Sequence, residues 1–406
     1  MTKKTRILIL SSSYLPLIGG SELAIKNITD RLPDFEFDLI TGRLNKNTPK
    51  YEKVGNVTVF RVGGTLGGAK FLLPKVFLPL AIFLKARKLT KTNQYIAIHA
   101  FQASSAAGGA WLLKYFYPHT RTSESEVPKG NRSFGVGVYP KLPFIITLQE
   151  GKNLEQQGFL INFFRGLILK KADRATAISR YLKNYIFQIA PNLKTEVIPN
   201  GVDIEHFSKE FSYGEMTALE NKLGVMPDDK VIISVSRLVP KNGVDLLIRA
   251  TAVLKQRSSD SYRLLLVGDG EQREELKRLV VELGVDDRII FAGSVNNEDL
   301  PLYLKISDVF VRPSRSEGLG SAFLEAMVAG VPIIGTKVGG IPDFLEDRKT
   351  GLFCALEPAD IAFKISLILE NAKLKDEIVK NARELVIERY DWDNIADKFR
   401  KIYQNF

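Results

Sequence analysis

The sequence has one cysteine, Cys354, and three histidines among its 406 residues. A single cysteine can form no disulfide within the chain, which fits a reducing compartment. The histidines, His99, His119 and His206, show none of the spacings typical of metal ligands. We therefore expect neither a disulfide-stabilised fold nor a bound metal.

Long hydrophobic runs are also missing. The start of the chain, MTKKTRILILSSSY, has only four consecutive apolar residues, too few for a signal peptide, and predicts a first buried strand at residues 7–10. The most apolar segment, residues 71–84, is too short to span a bilayer and precedes a basic stretch that ends at Lys91. Two interpretations stay open for residues 71–91: a buried helix with a solvated basic end, or an interfacial segment on anionic lipid.

The phosphate-binding motifs G-x-G-x-x-G and G-x-x-x-x-G-K-[ST] do not occur in the chain. Its glycines instead stand at strand-to-helix turns, as at Gly19-Gly20, where a ligand can approach the backbone closely. Apolar content of 45% and charged content of 25% are those of an ordinary globular protein. At this length two domains are expected, because one core rarely grows so large.

The net charge of +11 is unevenly distributed. Residues 1–200 contain 29 Lys and Arg against 12 Asp and Glu, a net charge of +17. Residues 201–406 contain 28 against 34, a net charge of −6. The basic residues follow no recognisable nucleic-acid module, so a membrane surface is favoured over nucleic acid as the anionic partner of the first half.

Strands and helices alternate along both halves, which predicts two parallel, doubly wound α/β domains. The Asn-Gly turn within residues 197–203 marks the hinge between them. The predicted limits are residues 1–200 for the first domain, 201–385 for the second and 386–406 for a final helix. Asp391-Trp392-Asp393 begins that helix and is interpreted as a helix cap rather than a metal site. A ligand is expected where the carboxyl ends of the two sheets face each other.

The most informative stretch is residues 309–352, which reads as strand, polar turn, helix and strand. Free backbone N–H groups and the positive end of the helix dipole make the turn an anion site. Glu317 lies in this turn and Glu325 one to two turns into the helix, so the two acids suit opposite ends of one long polar ligand. His99 ends a predicted strand of the first sheet, where a catalytic role is one possibility and a structural role the other.

Four segments together resemble the retaining glycosyltransferases of the GT-B type, family four. They are VIPNGVDIEHF, SVSRLVPKNGVDLLIRA, LLLVGDGE and SEGLGSAFLEAMVAGVPIIGTKVGGIPD. The resemblance implies two facing Rossmann-like domains, a nucleotide-sugar donor held chiefly by the second, and a final helix that crosses back onto the first. It further implies that the donor is a UDP- or GDP-linked hexose and that no metal takes part.

The resemblance assigns roles to individual residues. Glu317 would bind hydroxyls of the donor sugar, Glu325 the ribose, and Arg237 the diphosphate. Gly20 would let the first-domain loop cover the diphosphate, and Gly268 and Gly270 would line the nucleotide pocket. The backbone N–H groups that would hold sugar and diphosphate oxygens belong to Gly318, Leu319, Gly320 and Ser321.

Two positions depart from the family pattern. The lysine that the family has directly before the helix glycine is here Asn242, and Lys241 one place earlier is the candidate to replace it. Where many relatives have a histidine near the acceptor, this chain has Gln149 followed by Glu150. Glutamine cannot serve as a base near neutral pH, so that role stays open only for Glu150. Retention by same-face attack needs no such base.

The sequence therefore predicts a cytoplasmic hexosyltransferase, at the inner face of the membrane if the basic first domain contacts lipid. Its acceptor is expected to be a hydroxyl of a lipid-linked or envelope polysaccharide intermediate. Two alternatives stay open: a sugar-nucleotide epimerase on the same fold, and a non-catalytic sugar-nucleotide binder. Fold resemblance alone does not decide between them.

Overall fold

The structure is a computed structural model that describes residues 5–17, 19–43, 47–63, 72–116, 142–151, 154, 157–257 and 261–406, without the side chains of residues 72–76 and 257. The polar, glycine-containing segment at residues 118–139, which the sequence suggests is a long loop, and with it His119, lie outside these residues.

The first domain is built on a sheet of eight strands in the part of the chain described above, in the order β3-β4-β2-β1-β5-β6-β7-β8. All neighbours pair in parallel except β3, which pairs antiparallel with β4. The central strands are apolar and buried on both faces, as parallel strands between helix layers must be. The strands are β1 (Thr5–Leu10), β2 (Phe35–Gly42), β3 (Tyr51–Val54), β4 (Val57–Val62), β5 (Ala97–Phe101), β6 (Phe144–Leu148), β7 (Arg174–Ala177) and β8 (Thr195–Val197).

Helices cover both faces of this sheet. On one face, α2 to α5 form a layer in which α2 contacts α3, α3 contacts α4, and α4 contacts α5. On the other face, α1 lies beside the last helix of the chain. The helices are α1 (Gly20–Asp30), α2 (Leu72–Thr92), α3 (Ser105–Phe116), α4 (Phe159–Lys171) and α5 (Arg180–Ile189).

The second domain has a fully parallel sheet of six strands among the described residues, in the order β11-β10-β9-β12-β13-β14. The reversal of strand order at β9 and β12 opens a crevice at their carboxyl ends, the usual ligand position in such sheets. The strands are β9 (Lys230–Val235), β10 (Tyr262–Val267), β11 (Ile289–Gly293), β12 (Val309–Arg312), β13 (Ile333–Thr336) and β14 (Leu352–Cys354). The helices are α6 (Ile204–Phe207), α7 (Tyr213–Leu223), α8 (Val244–Arg257), α9 (Arg273–Glu282), α10 (Leu300–Lys305), α11 (Ser321–Val328), α12 (Pro358–Glu370) and α13 (Ala372–Arg389).

The last helix, α14 (Trp392–Gln404), crosses back to the first domain. Its buried residues recur with helical spacing and pack into the hydrophobic core beside the first sheet. The two segments that pass between the domains lie side by side: the Val202 N–H donates to the Tyr390 carbonyl at 2.7 Å. A Cβ on Gly201 would come within 2.7 Å of the Trp392 ring, so this crossing requires glycine.

The predicted fold class is confirmed: two parallel, Rossmann-like sheets face each other, and the final helix returns to the first. The domain limits stay a prediction, and the one at residue 385 falls within α13. Residues 207–229 contain α7, which begins with a reciprocal Ser212–Glu215 capping box and ends at Gly224 in the left-handed conformation. Of residues 71–91, those from Leu72 onward lie in α2, which from Phe77 onward has both buried and exposed apolar side chains.

Candidate functional site

A cleft of about 1230 Å³ separates the two domains at the carboxyl ends of their sheets. The second domain forms its C-terminal wall from Arg237, Lys241 and residues 317–321. Residues of the first domain form its N-terminal wall, which is largely neutral and polar. The polar side chains of the N-terminal wall are Ser13, Ser21, Glu22, Gln102, Ser104, Ser105, Gln149, Glu150, Gln157, Arg165 and Asn200.

The turn between β12 and α11 lines the cleft, and the N–H groups of Leu319, Gly320 and Ser321 have no acceptor among the described residues. Gly320 begins α11 with a φ of 99°, a conformation that favours glycine. Gly339 lies so close behind the turn that a Cβ would be 1.7 Å from the Glu317 carbonyl oxygen. The predicted donor-binding residues Gly318, Leu319, Gly320 and Ser321 therefore follow one rigid turn along the C-terminal wall.

Glu317 is held in place by two cations. Its Oε2 accepts from Arg312 at 2.5 Å and lies 3.7 Å from the Lys241 Nζ. Its Oε1 accepts from the Gly318 N–H at 3.0 Å. The side chain of Arg312 is only 7% exposed, so it orients Glu317 from behind rather than reaching a ligand. Glu317 is thus a fixed hydrogen-bond acceptor at the cleft surface.

Arg237 and Lys241 are the cations that the C-terminal wall brings to the cleft. Arg237 is exposed, and no ion pair or hydrogen bond of its guanidinium is found among the described residues. Burial lowers the pKa of Lys241, and the charge of Glu317 opposes that shift. A diphosphate in this position would find two positive side chains beside a helix N-terminus, the arrangement expected for an anion site.

Asn242, which departs from the family pattern, is turned away from the cleft. It is 4% exposed, and its side-chain amide donates to the Arg237 carbonyl at 2.7 Å. Its own side-chain oxygen is buried without a hydrogen-bond partner. Lys241, by contrast, extends into the cleft, within 3.2 Å of a Cβ built on Gly151. The one-residue shift therefore still brings a lysine to the expected anion site.

Glu325 lies on the second turn of α11 and is partly exposed. Burial raises the pKa of its carboxyl to about 7, and the positive charge of Arg312 opposes this shift. No hydrogen bond from its carboxylate is found among the described residues, so it is available to a ligand that brings its own donors. Unlike Glu317, it is not part of the cleft lining described above.

Gly20 lies in the N-terminal wall at the first residue of α1, and its role in covering the diphosphate stays a prediction. Gln149 donates to the Asn200 side chain at 3.1 Å, and its own side-chain oxygen is buried without a partner. That orphaned acceptor would be satisfied by a hydroxyl donor. Gln149 and Asn200 thus form a neutral pair suited to a polyol.

Glu150 is tied to the backbone of the N-terminal wall. Its two carboxylate oxygens accept from the N–H groups of Ala103 and Gln149, both at 2.9 Å. Burial raises the pKa of this carboxyl, while the charge of Arg165 and the backbone hydrogen bonds oppose that shift. Glu150 thus lines the cleft with its carboxylate held in one orientation by a hydrogen bond to each oxygen.

The predicted catalytic role of His99 is wrong. His99 is fully buried in β5, with Nδ1 2.7 Å from the Tyr403 hydroxyl and Nε2 2.6 Å from the Thr147 hydroxyl. Burial lowers the pKa of the ring to about 3. The neutral imidazole therefore joins the first sheet to α14 and touches no part of the cleft lining.

Gly268 and Gly270 have a packing role in the structure. A Cβ on Gly268 would be 1.9 Å from the Ser236 carbonyl oxygen, and one on Gly270 would be 2.4 Å from the Leu238 carbonyl oxygen. They let the loops after β9 and β10 lie against each other, which supports Arg237 between them. A role in lining the nucleotide pocket stays a prediction.

The interpretation of Asp391-Trp392-Asp393 as a cap is confirmed. The Asp391 side chain accepts from the Asp393 N–H at 2.9 Å, and Asp393 pairs with Arg31 of the first domain at 2.7 Å. Within the described residues no group of three or more His, Cys, Asp or Glu is arranged to hold a metal ion. Metal independence stays a prediction.

The two walls touch at the base of the cleft. A Cβ on Gly318 would lie 2.6 Å from the Glu150 carbonyl oxygen, so only glycine allows this approach. The Asp343 carboxylate of the second domain accepts from the Arg180 N–H at 2.6 Å, at the start of α5. These contacts hold the domains in a closed arrangement around the cleft.

Sequence reasoning missed the part that Arg312 and Asn200 play. Arg312 is not among the site residues predicted from the sequence, yet it pairs inside the protein with Glu317. Its position at the end of an apolar strand was the available signal. Nothing in the sequence signalled the pairing of Asn200 with Gln149, because it joins segments 51 residues apart.

Two family models match the chain. The model described as Glycosyltransferase Family 4 matches residues 18–206, and the one described as Glycosyl transferases group 1 matches residues 215–385. An uncharacterized glycosyltransferase of Methanocaldococcus jannaschii is 28% identical, with 98% of each chain covered. A GDP-mannose-dependent alpha-(1-6)-phosphatidylinositol monomannoside mannosyltransferase of Mycobacterium tuberculosis is 32% identical over 56% of this chain and 60% of its own.

Solved structures show the same fold. Sucrose-phosphate synthase from Thermosynechococcus elongatus superimposes with a TM-score of 0.78 at 22% identity, with 99% of each chain covered. HepE of Anabaena, solved in complex with UDP and glucose, gives a TM-score of 0.76 at 21% identity, with 99% of this chain and all of that chain covered. The chain belongs to the GT-B glycosyltransferases, which confirms the family resemblance inferred from its motifs, while retention of configuration stays a prediction.

Proposed function

We propose that this glycosyltransferase moves a hexose from a nucleotide-diphosphate sugar to a hydroxyl acceptor with retention of anomeric configuration and without a metal. The observation that carries the proposal is the C-terminal wall of the cleft. There Arg237, Lys241 and the amides of residues 318–321 surround a space bordered by the fixed carboxylate of Glu317.

The chemistry follows from where negative charge develops. As the bond from the anomeric carbon to the diphosphate oxygen breaks, its electron pair stays on the departing phosphate. Arg237, Lys241 and the helix amides stabilise that charge in a partly closed cleft, which lowers the barrier. Glu317 accepts from sugar hydroxyls and fixes the ring against this wall.

The N-terminal wall supports retention rather than inversion. An inverting transfer needs a general base on the acceptor side. Gln149 is no base, and the carboxylates of Glu22 and Glu150 each accept two hydrogen bonds from the protein, from Ser13 and Ser21 and from the N–H groups of Ala103 and Gln149. The acceptor oxygen therefore attacks on the face from which the diphosphate leaves, and its proton passes to the departing phosphate oxygen.

The nucleoside diphosphate of the donor is UDP or GDP, which differ in their base. The mannosyltransferase of Mycobacterium tuberculosis is named as GDP-mannose-dependent, whereas HepE was solved with UDP and glucose. The ribose would be bound by Glu325, whose carboxylate lacks a partner among the described residues. This contact is common to both bases, so it leaves the choice between them to experiment.

The acceptor is proposed to be lipid-linked or an envelope polysaccharide intermediate, reached from the cytoplasmic face of a membrane. The mycobacterial relative acts, by its name, on phosphatidylinositol monomannoside, a lipid. The hydroxyl and amide side chains of the N-terminal wall, such as Ser21, Gln102 and Gln149, suit a neutral polyol at the reacting end.

A thermal-shift panel of UDP- and GDP-linked sugars tests the donor assignment. A ligand present at 100 times its dissociation constant adds about 2.7 kcal/mol to the free energy of unfolding. We expect one sugar nucleotide to raise the melting temperature more than its free nucleoside diphosphate. A panel in which no nucleotide sugar changes the melting temperature would contradict the proposal.

Transfer itself is tested by following the donor that the panel identifies. A transferase should hydrolyse this donor slowly without acceptor, and proton NMR of the transferred sugar should show the donor's anomeric configuration. Rapid acceptor-independent turnover would indicate an epimerase. Unchanged donor binding by Glu317→Ala, together with no turnover at all, would indicate a non-catalytic binder.

A further inference from the structure

The first two turns of α4 project from the protein as an apolar tip. The second half of the helix is anchored, with Arg165, Ile168 and Leu169 buried. Five of the first six side chains are large, apolar and between 51% and 82% exposed. They define the α4 tip: Phe159, Leu160, Ile161, Phe163 and Phe164.

Apolar side chains surround most of the α4 tip rather than forming one stripe, and Asn162 is the polar residue among them. Phe159 stacks on Phe163 with ring centroids 6.3 Å apart, and Phe163 meets Phe164 edge to face at 5.7 Å. Helix segments that are this apolar are normally inside a protein or in lipid. Contiguous exposed patches of this kind mark surfaces that bind a protein or a membrane.

The α4 tip adjoins the cleft. Leu160 and Ile161 are exposed and also line the cleft, together with the buried Arg165 of the same helix. Whatever covers the tip therefore lies at the rim of the site, beside the N-terminal wall. A surface that covers this rim can deliver an acceptor directly into the cleft.

Helix α2 carries a second exposed apolar stripe in the same layer. Phe77, Leu80 and Leu84 are spaced along one face and are 48% to 58% exposed. Helices α2 and α4 each connect parallel strands, so both run back from the cleft-side edge of the sheet in the same direction. Helix α3 lies between them and contacts both.

Basic residues follow the apolar segment on both helices. On α2 the exposed Arg87, Lys88 and Lys91 come after the stripe, and α4 ends in the exposed Lys170 and Lys171. This order, with apolar side chains first and cations behind them, suits a surface with an apolar interior and anionic headgroups.

We propose that the α4 tip and the α2 stripe dock on an anionic phospholipid bilayer, with the apolar side chains in the interfacial region and the lysines and arginines at the headgroups. The docked cleft opens toward the bilayer. This inference deepens the proposed function by naming the surface that presents the acceptor, and it rests on that function only for the acceptor. None of the described helices is long and apolar enough to cross a membrane, so contact is at the surface.

A second copy of this chain is the main competing occupant. In a symmetric dimer the same patch would meet itself. The cations that flank it would then approach their own copies, and like charges facing each other are unfavourable. An anionic bilayer satisfies both the apolar tip and its basic surroundings.

The test is co-flotation of the full chain with vesicles of phosphatidylcholine alone or of phosphatidylcholine with phosphatidylglycerol. The double variant Phe159→Ser/Phe163→Ser removes two exposed rings and spares the cleft-lining Leu160 and Ile161. Phe363→Ser is the matched control, because Phe363 is 55% exposed on α12 of the other domain. Melting curves check that each variant is folded.

We expect wild type and Phe363→Ser to float with the anionic vesicles, and the double variant to lose at least ten-fold in partition coefficient. Lys170→Gln/Lys171→Gln should lose the preference for anionic over neutral vesicles. Equal flotation of the double variant and wild type, or no flotation of wild type, would overturn the proposal. So would a concentration-dependent dimer, seen by light scattering, that the double variant abolishes.

These outcomes are separable from failure of the proposed function. Donor binding in the thermal-shift panel needs no lipid, and the double variant should keep it unchanged. A protein that floats but binds no nucleotide sugar would refute the proposed function and leave the docking surface standing. A protein that binds the donor but does not float would refute the docking surface and leave the proposed function standing.

Discussion

Each wall of the cleft carries a charge opposite in sign to the net charge of the half of the chain that forms it. Residues 1–200 carry a net charge of +17, yet the charged side chains of their wall among the described residues are Glu22, Glu150 and the buried Arg165, and its other polar side chains are serine, glutamine and asparagine. Residues 201–406 carry −6, yet their wall supplies Arg237 and Lys241.

The positively charged residues of the two domains therefore differ in where they lie and in what they are expected to bind. The cations of the second domain are few, and they lie within one small site where a diphosphate fits. Those of the first domain are many, and among the described residues all but Arg165 lie outside the cleft, as on α2 and at the end of α4. Net charge therefore describes what a domain's outer surface attracts, and the side chains at the strand ends describe what its cleft binds.

The largest expected effect comes from removing a cation of the C-terminal wall. Arg237→Ala should lower kcat about 100-fold or more, because the departing diphosphate loses a charged donor. Lys183→Ala removes an exposed cation of the basic half, on α5, and should leave kcat unchanged. Steady-state kinetics with the identified donor measure both variants. Equal activities would break the comparison between the walls.

A smaller loss of activity is expected for Glu317→Gln. This substitution keeps the shape of the side chain but weakens its hydrogen bonds to sugar hydroxyls. We expect kcat to fall about 10- to 100-fold. Affinity for the nucleotide sugar should fall, and affinity for the free nucleoside diphosphate should stay the same. Calorimetric titration of both ligands distinguishes this outcome from a general loss of the site, in which both affinities would fall together.

The partly buried Glu325 should make donor binding depend on pH. Its pKa is raised to about 7, so the carboxyl is protonated in the free protein below that pH. Accepting two ribose hydroxyls requires the ionised form. Affinity for a nucleotide sugar should therefore fall below pH 7, on the order of ten-fold per pH unit. Glu325→Gln should bind more weakly at pH 8 and show a flat profile; a wild-type-like slope would exclude the ribose role.

A several-fold change in KM and kcat is expected for a substitution at the point where the two walls touch. In Gly318→Ala the added Cβ would meet the Glu150 carbonyl oxygen at 2.6 Å, so the domains must move apart. KM should rise and kcat should fall together. Gly214→Ala is the matched control, because a Cβ there has no atom within 4 Å. If the two variants have the same kinetics, the closed arrangement is not needed for catalysis.

The smallest effect on activity is expected at the junction of α14 with the first sheet. Tyr403→Phe removes the hydroxyl that lies 2.7 Å from the His99 ring. The free energy of unfolding should fall by about 1–3 kcal/mol, because a buried polar nitrogen loses its partner. Activity should change less than two-fold. Urea denaturation and kinetics measure both, with the exposed Tyr213→Phe as control. A shifted pH profile of kcat would revive a catalytic His99.

The fold could be predicted because each strand and helix is indicated by a short continuous segment of the sequence. Strands such as β6 and β12 are short apolar runs that end in polar turns, and the regular alternation with helices defines a parallel sheet. What escaped prediction was α4, whose apolar first half resembles a buried strand as much as a helix by pattern alone.

The site was predictable on the C-terminal wall and much less so on the N-terminal one. Glu317 and the turn that follows it form one continuous segment, so the sequence brings them together by itself. The N-terminal wall gathers side chains from distant segments, as in the Gln149–Asn200 pair, and only the folded chain shows that contact. His99 was misassigned because a strand end predicts proximity to the cleft but not the direction of the side chain.

The most direct test of the account is a crystal structure of the protein with its nucleotide-diphosphate sugar. We predict diphosphate oxygens within hydrogen-bonding distance of Arg237, Lys241 and the N–H groups of residues 318–321, with Glu317 on the hexose. A diphosphate bound to the first domain, or one that contacts neither cation, would contradict the assignment of the C-terminal wall.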